Sequence, residues 1–88
     1  MIRRRVLAEG YVQGVFFRDT TRRLAQQHRV SGWVANRVDG AVEAVFEGEP
    51  DAVERLVQFM RKGPRGAVVE HVEISEEEPE RLIGFRVR

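Results

Sequence analysis

Between residues 9 and 19 the spacing of apolar side chains changes from a period of two to a period near 3.6. Residues 2–9 alternate as a strand, with Ile2, Val6 and Ala8 on one face; Arg4 interrupts the pattern, so the first two or three residues are expected to fray. Phe17, Leu24, Ala25 and His28 then recur at helical spacing. The stretch between them, Gly10-Tyr11-Val12-Gln13-Gly14-Val15-Phe16-Phe17-Arg18, is therefore a loop that joins a strand to a helix start. A helix start has about four backbone N–H groups with no partner inside the helix, and the helix dipole adds partial positive charge there. A glycine-containing turn at that place aims several N–H groups at one anion. Arg18 is the odd residue, because a cation in the first helical turn is unfavourable by roughly 0.3–1 kcal/mol. Its guanidinium fork matches phosphate oxygens, so an anion between Arg18 and the N–H groups would account for it. These residues alone point to an oxyanion or phosphate site; a common glycine loop with Arg18 in water remains the plainer alternative.

The rest of the chain supplies a layer for such a loop to sit on. Trp33 to Asn36 and Val42 to Glu47 make a hairpin around Asp39-Gly40. A two-residue turn would pair Trp33 with Phe46 and Ala35 with Ala44 on a core face, but it would also put Arg37 opposite Val42 on that face. A longer loop starting at Arg37 or Val38 is therefore expected; Trp33 is read as a core residue, with the rim near Asn36 as the alternative. Pro50 suits the first turn of a second helix, whose Val53, Leu56, Val57 and Met60 face the core at i, i+3, i+4 and i+7. Gly63-Pro64 stops it. Ala67 to Ser75 alternates as a strand with Val68, Val72 and Ile74 on one face, and Glu70 fits no place in that set. Arg81 to Arg88 closes the chain as a strand with Phe85 and Val87 inward. The order predicts an α+β, ferredoxin-like βαββαβ sandwich: an antiparallel sheet with two helices on one face, plus a short last strand.

Length and composition bound the function. Eighty-eight residues are read as a single domain, 1–88, with room for one surface site and none for a separate cofactor domain. Cysteine is absent, which removes disulfides, thiolate nucleophiles and Cys-based metal sites and fits a cytoplasmic location. The basic start Met1-Ile2-Arg3-Arg4-Arg5 precedes no apolar run, and no stretch approaches a membrane span. A net charge of +1 is not that of a nucleic-acid partner. The arginines at 3–5 and 18–23 and the acidic run at 76–80 are read as solvated faces. His28 and His71 have no Ser or Cys partner pattern, and no Asp, Glu or His spacing suggests metal ligands, so neither metal nor cofactor is expected.

Gly10-x-Val12-Gln13-Gly14-Val15-x-Phe17-Arg18, followed by Gly32-Trp33-Val34-x-Asn36 and Asp39-Gly40, resembles the acylphosphatase family, and the order of elements agrees over nearly the whole chain. The resemblance implies the ferredoxin-like fold and hydrolysis of a carboxyl-phosphate anhydride to a carboxylate and inorganic phosphate. It matches Arg18 to a phosphate-binding arginine and Asn36 to a water-orienting asparagine, with Gln13, Gly14, Val15, Phe16 and Phe17 as the phosphate-binding loop. On its residue type alone, Asn36 also suits a turn that bonds its own backbone. Gln13 either shapes the loop or faces solvent. Two residues depart from the family's habit. Arg29 stands where glycine often caps the first helix, and it should cost stability if its φ is positive. Asp19 stands where an aromatic often follows the arginine, and its carboxylate would either compete for Arg18 or turn away.

The chemistry asks for little beyond these groups. A carboxylate leaving group, conjugate acid pKa about 4, departs without a proton. Phosphoryl transfer then needs positioning and charge stabilisation on the equatorial oxygens. The expected partners are an acyl phosphate and the phosphate product, acting on a monomer. A non-catalytic anion-binding or regulatory domain of the same fold is the main alternative. An RNA-recognition motif shares the element order, but Val42 to Glu47 carries two glutamates and lacks the basic and aromatic pattern of such strands.

Overall fold

The computed structural model describes residues 1–88. Its elements run β1 (Ile2–Tyr11), α1 (Phe17–Gln27), β2 (Ser31–Asn36), β3 (Val42–Gly48), α2 (Pro50–Lys62), β4 (Val68–Glu77) and β5 (Phe85–Val87). They form one five-stranded sheet ordered β4-β1-β3-β2-β5. The pairs β1–β3, β1–β4 and β2–β3 are antiparallel. The last strand is the exception to the antiparallel sheet, since β5 runs parallel to β2. Both helices pack on one face. There Val6, Ala8, Val34, Val42, Ala44 and Phe46 meet Phe17 and Ala25 of α1 and Val53, Leu56, Val57 and Met60 of α2. Phe85 of β5 stacks on Phe46 at 5.8 Å between ring centres.

Register decides which expectations hold. The β2–β3 loop is indeed longer than two residues: Asn36 pairs with Val42, and residues 37–41 connect them. That pairing sets Trp33 opposite Val45 and Ala35 opposite Glu43. A one-residue change of register moves a side chain to the other face, so Trp33 is not in the helix-side core. It lies on the opposite, helix-free face, with the Arg88 guanidinium 4.3 Å and the Arg5 guanidinium 5.7 Å from its ring centre.

Glu70 also finds its reason. The β1–β4 register jumps from Glu9–His71 to Gly10–Val69, which leaves Glu70 as the extra residue of a bulge. Beyond it Val69, not Val68, packs against the core. Gly10 is required at this point: its φ is 132°, and a Cβ there would lie 2.2 Å from the Val68 carbonyl oxygen.

The start of β1 does not fray. Arg3 is buried, with its guanidinium 2.9 Å from Glu47 and 2.8 Å from Glu77. The Glu47 carboxylate also accepts the N–H groups of Glu80 at 2.5 Å and Leu82 at 2.8 Å. It thereby anchors the segment 78–84 that carries the chain from β4 at one edge to β5 at the other.

Arg29 adopts the left-handed conformation, with φ 58°. A side chain at such a position costs about 1–2 kcal/mol relative to glycine; glycine's greater freedom in the unfolded chain gives part of that back. Arg29→Gly is therefore expected to stabilise the fold by about 1 kcal/mol. The denaturant midpoint should rise with the slope unchanged; a fall would show that the arginine side chain contributes contacts outweighing its strain.

Candidate active site

The loop after β1 and the end of β2 meet at one cavity of about 500 Å³, lined by Val12, Gly14, Phe16, Phe17, Arg18, Asp19, Asn36 and Val87. Arg18 and Asn36, far apart in sequence, thus share one wall-to-wall space. Arg18 is the second residue of α1, and Asn36 is the last residue of β2. The turn after Asn36 is closed by backbone bonds between Arg37, Gly40 and Ala41 and by Asp39, whose carboxylate accepts the Ala41 N–H at 3.1 Å. The Asn36 amide is not needed for that turn.

None of the turn, loop and cap backbone hydrogen bonds is donated by a residue from Val12 to Asp19. Intrahelical bonding begins at Thr20, which donates to Phe16. The loop therefore offers a run of unengaged donors beside the cavity, at the positive end of α1. Gly14 has φ 78°, and a Cβ there would meet nothing within 4 Å. Glycine is needed for its backbone conformation; the space in front of it is open.

Gln13 and Val15 do not line the cavity. Gln13 donates its amide to the carbonyls of Arg37 at 2.8 Å and Ala41 at 3.1 Å. This ties the glycine loop to the β2–β3 loop and so sets Asn36 against Arg18. Of the two roles open to Gln13, shaping the loop is the one adopted. Val15 packs against the core. Phe17 is buried and meets Phe59 edge-on at 5.7 Å, whereas Phe16 stands 80% exposed.

The electrostatics of the first helical turn favour an anion at Arg18. Asp19 turns away from it and pairs with Arg22 at 2.9 Å and Arg23 at 3.0 Å. The Arg22 hydrogen bond holds the Asp19 carboxyl below the usual carboxylate range. The i, i+3 and i, i+4 spacing of those arginines is the sequence signal that decides this. The Arg18 guanidinium makes no ion pair with any carboxylate side chain; its one hydrogen bond is to the Arg88 main-chain oxygen at 3.5 Å. Thr20 and Thr21 do not face the cavity; each hydroxyl donates to the carbonyl four residues earlier, Phe16 and Phe17.

Sequence reasoning missed Val87. It was expected to point into the core, yet it lines the cavity and is 41% exposed. Only the parallel pairing of β5 beside β2, with Val87 opposite Val34, brings it there. Reasoning from spacing also missed the approach of Glu9, His71 and Glu73, whose ligating atoms lie within 4.8 Å of one another across the β1–β4 pairing. All three are exposed on the helix-free face, and none borders the cavity. No helix is long and apolar enough to cross a membrane.

Comparisons with known proteins agree on one family. The family model described as Acylphosphatase matches residues 4–87. A protein of Rubrobacter xylanophilus named Acylphosphatase is 57% identical over 86 residues, covering 96% of this chain and 77% of that protein. One of the same name from Gloeobacter violaceus is 52% identical over 86 residues, covering 98% and 92%. The solved structure of an acylphosphatase from Coxiella burnetii superposes with a TM-score of 0.94 at 39% identity, covering 99% of this chain and 92% of that one.

Proposed function

The chain belongs to the acylphosphatase family, enzymes that hydrolyse acyl phosphates, and from that premise we propose that Arg18, the loop from Gln13 to Phe17 and Asn36 carry the reaction. The observation that supports this most is the single cavity holding Arg18, Asn36 and a loop whose backbone donors are unengaged. In this reading the phosphoryl oxygens lie between the Arg18 fork and the N–H groups. These groups are fixed before substrate arrives, so they stabilise the charge spreading over the equatorial oxygens without reorganising. Water hydrogen-bonded to the Asn36 amide, which donates and accepts at once, is aligned on phosphorus. A P–O bond forms to the water oxygen, and the P–O bond to the acyl oxygen breaks. The carboxylate leaves with its electron pair and no proton. One water proton stays on the attacking oxygen and the other passes to a phosphoryl oxygen, so a dianionic substrate gives the carboxylate and dihydrogen phosphate, which then equilibrates with solvent.

Gln13 acts on geometry through its two bonds to the neighbouring loop, and Val15 through its packing. The residue set requires no metal, and the chain 1–88 is proposed to act as one metal-independent unit, monomeric and cytoplasmic, with no nucleic-acid or membrane partner. A purely regulatory anion-binding role finds no support in the family comparison.

Hydrolysis of benzoyl phosphate by the purified protein, with a chelator present, tests this directly. Asn36→Ala is expected to lower kcat about 10²-fold, the cost of a misplaced nucleophile, while inhibition by inorganic phosphate stays within a few-fold. Equal loss of phosphate affinity in Asn36→Ala and Arg18→Ala would overturn the division of labour.

A further inference from the structure

Phe16 breaks two local rules at once. It is the N-cap of α1 but has no side-chain oxygen to accept a first-turn N–H. Its backbone is left-handed, φ 61° and ψ 27°, a conformation that bulky residues rarely adopt. Burial does not compensate, because the side chain is among the most exposed large apolar groups of the protein. The residue is tied into the first turn of α1: the Phe16 carbonyl accepts both the N–H and the hydroxyl of Thr20, at 3.1 and 2.9 Å. A strained residue held this firmly beside a reactive site implies that the strain has a use.

Phe16 borders the same cavity as Arg18 and Asn36, together with Val87, Val12 and Phe17. Once phosphate occupies the Arg18 end, only one bridging oxygen separates phosphorus from the acyl carbon. The acyl group must then lie against whatever lines the rest of the cavity; apart from Gly14 and Asp19, whose carboxylate is taken up by Arg22 and Arg23, those side chains are apolar. We propose that Phe16 and Val87 form the acyl subsite, and that the enzyme favours acyl phosphates with flat apolar acyl groups, aromatic ones above all, over short aliphatic ones. The inference rests on the roles given above to Arg18 and Asn36. An exposed phenyl ring gains from covering its face with another ring, both by removing apolar surface from water and by the offset or edge-on preference of aromatic pairs. An acetyl group covers too little of it to matter.

The test compares benzoyl phosphate with acetyl phosphate, whose carboxylate leaving groups have similar basicity, in the wild type, Phe16→Asn and Val87→Ala. Asparagine tolerates the left-handed conformation, so Phe16→Asn removes the ring and keeps the loop. The wild type is expected to favour benzoyl phosphate in kcat/KM. In Phe16→Asn that preference should fall about ten-fold, chiefly through KM, the scale of one lost apolar contact in a specificity pocket. Val87→Ala should act in the same direction by less. Loosening of the loop would lower both substrates alike, so an unchanged preference in Phe16→Asn overturns the acyl subsite while leaving the catalytic reading intact. Absence of turnover of either substrate by folded wild type overturns the catalytic reading, and this inference with it.

Discussion

Arg18→Ala is expected to lower kcat/KM for benzoyl phosphate by at least 10²–10³-fold, the cost of about 2.7–4 kcal/mol seen when one preorganised charge-stabilising donor is removed. The environment of Arg18 argues for the upper part of that range. Its guanidinium pairs with no carboxylate side chain, since Asp19 is engaged by Arg22 and Arg23, and its one hydrogen bond is a long one, 3.5 Å, to the Arg88 main-chain oxygen. Its charge is therefore available to substrate. Inhibition by inorganic phosphate should weaken in parallel, because product and transition state share the same oxygens. Arg18→Lys should recover only part of the rate: it restores a charge but not the planar two-pronged donor set. Stability should move the other way. A cation in the first turn of α1 opposes the helix dipole, so Arg18→Ala is expected to raise the unfolding free energy by about 0.3–1 kcal/mol. A variant that is folded, slightly more stable and nearly inactive would identify a residue kept for function at the expense of stability. Activity within ten-fold of wild type would remove Arg18 from the reaction.

The parts of this molecule that were legible in its sequence are those fixed within a few residues. The change of apolar period at Gly10–Arg18, the proline start and glycine stop of α2, and the left-handed strain at Arg29 are all local, and all appear as expected. What the sequence left open was decided by pairing across the sheet. Trp33 reads as a core residue from its spacing, but its face depends on a register that the length of the 37–41 loop sets. Glu70 had no place until the bulge opposite Gly10 supplied one. Asn36 and Arg18 could be nominated separately, but their approach depends on α1 and β2 lying side by side and on Gln13 bridging the two loops. Val87 and Glu47 gave no local signal at all. Glu47 ends an alternating strand as an ordinary outward-facing acid would, and nothing near it shows that residues 78–84 will fold back over it.

Glu47→Ala should be among the most damaging single changes outside the cavity. Glu47 is 1% exposed, and its carboxylate serves three partners: the Arg3 guanidinium and the N–H groups of Glu80 and Leu82. Burial alone would push this carboxyl up; the two N–H donors and Arg3 outweigh it and hold it below the ordinary carboxylate range. Removing one partner of a buried ion pair costs about 3–5 kcal/mol, a large share of the roughly 4–13 kcal/mol that a chain of this size has in total. The melting temperature should drop by at least about 10 °C. Arg3→Ala in the same chain removes a buried guanidinium left with only Glu77 at 2.8 Å and Glu80 at 3.7 Å, so the double variant should lose less than the sum of the two single ones. It should not return to wild type, because the Glu80 and Leu82 N–H groups remain without their acceptor. The pH dependence follows from the direction of the shift. With the folded pKa depressed, the stabilisation is complete above the unfolded value of about 4.3 and is lost as pH falls through the lower folded value. Wild type should therefore lose stability on acidification below about pH 5, and Glu47→Gln should show a shallower acid limb. The same change should reach the cavity. Segment 78–84 delivers β5, whose Val87 lines the site and whose Arg88 carbonyl lies beside Arg18. At a temperature where Glu47→Gln is still folded, KM for benzoyl phosphate should rise several-fold. An unchanged melting temperature in Glu47→Ala would mean that the last strand is held by its pairing with β2 and by Phe85 alone.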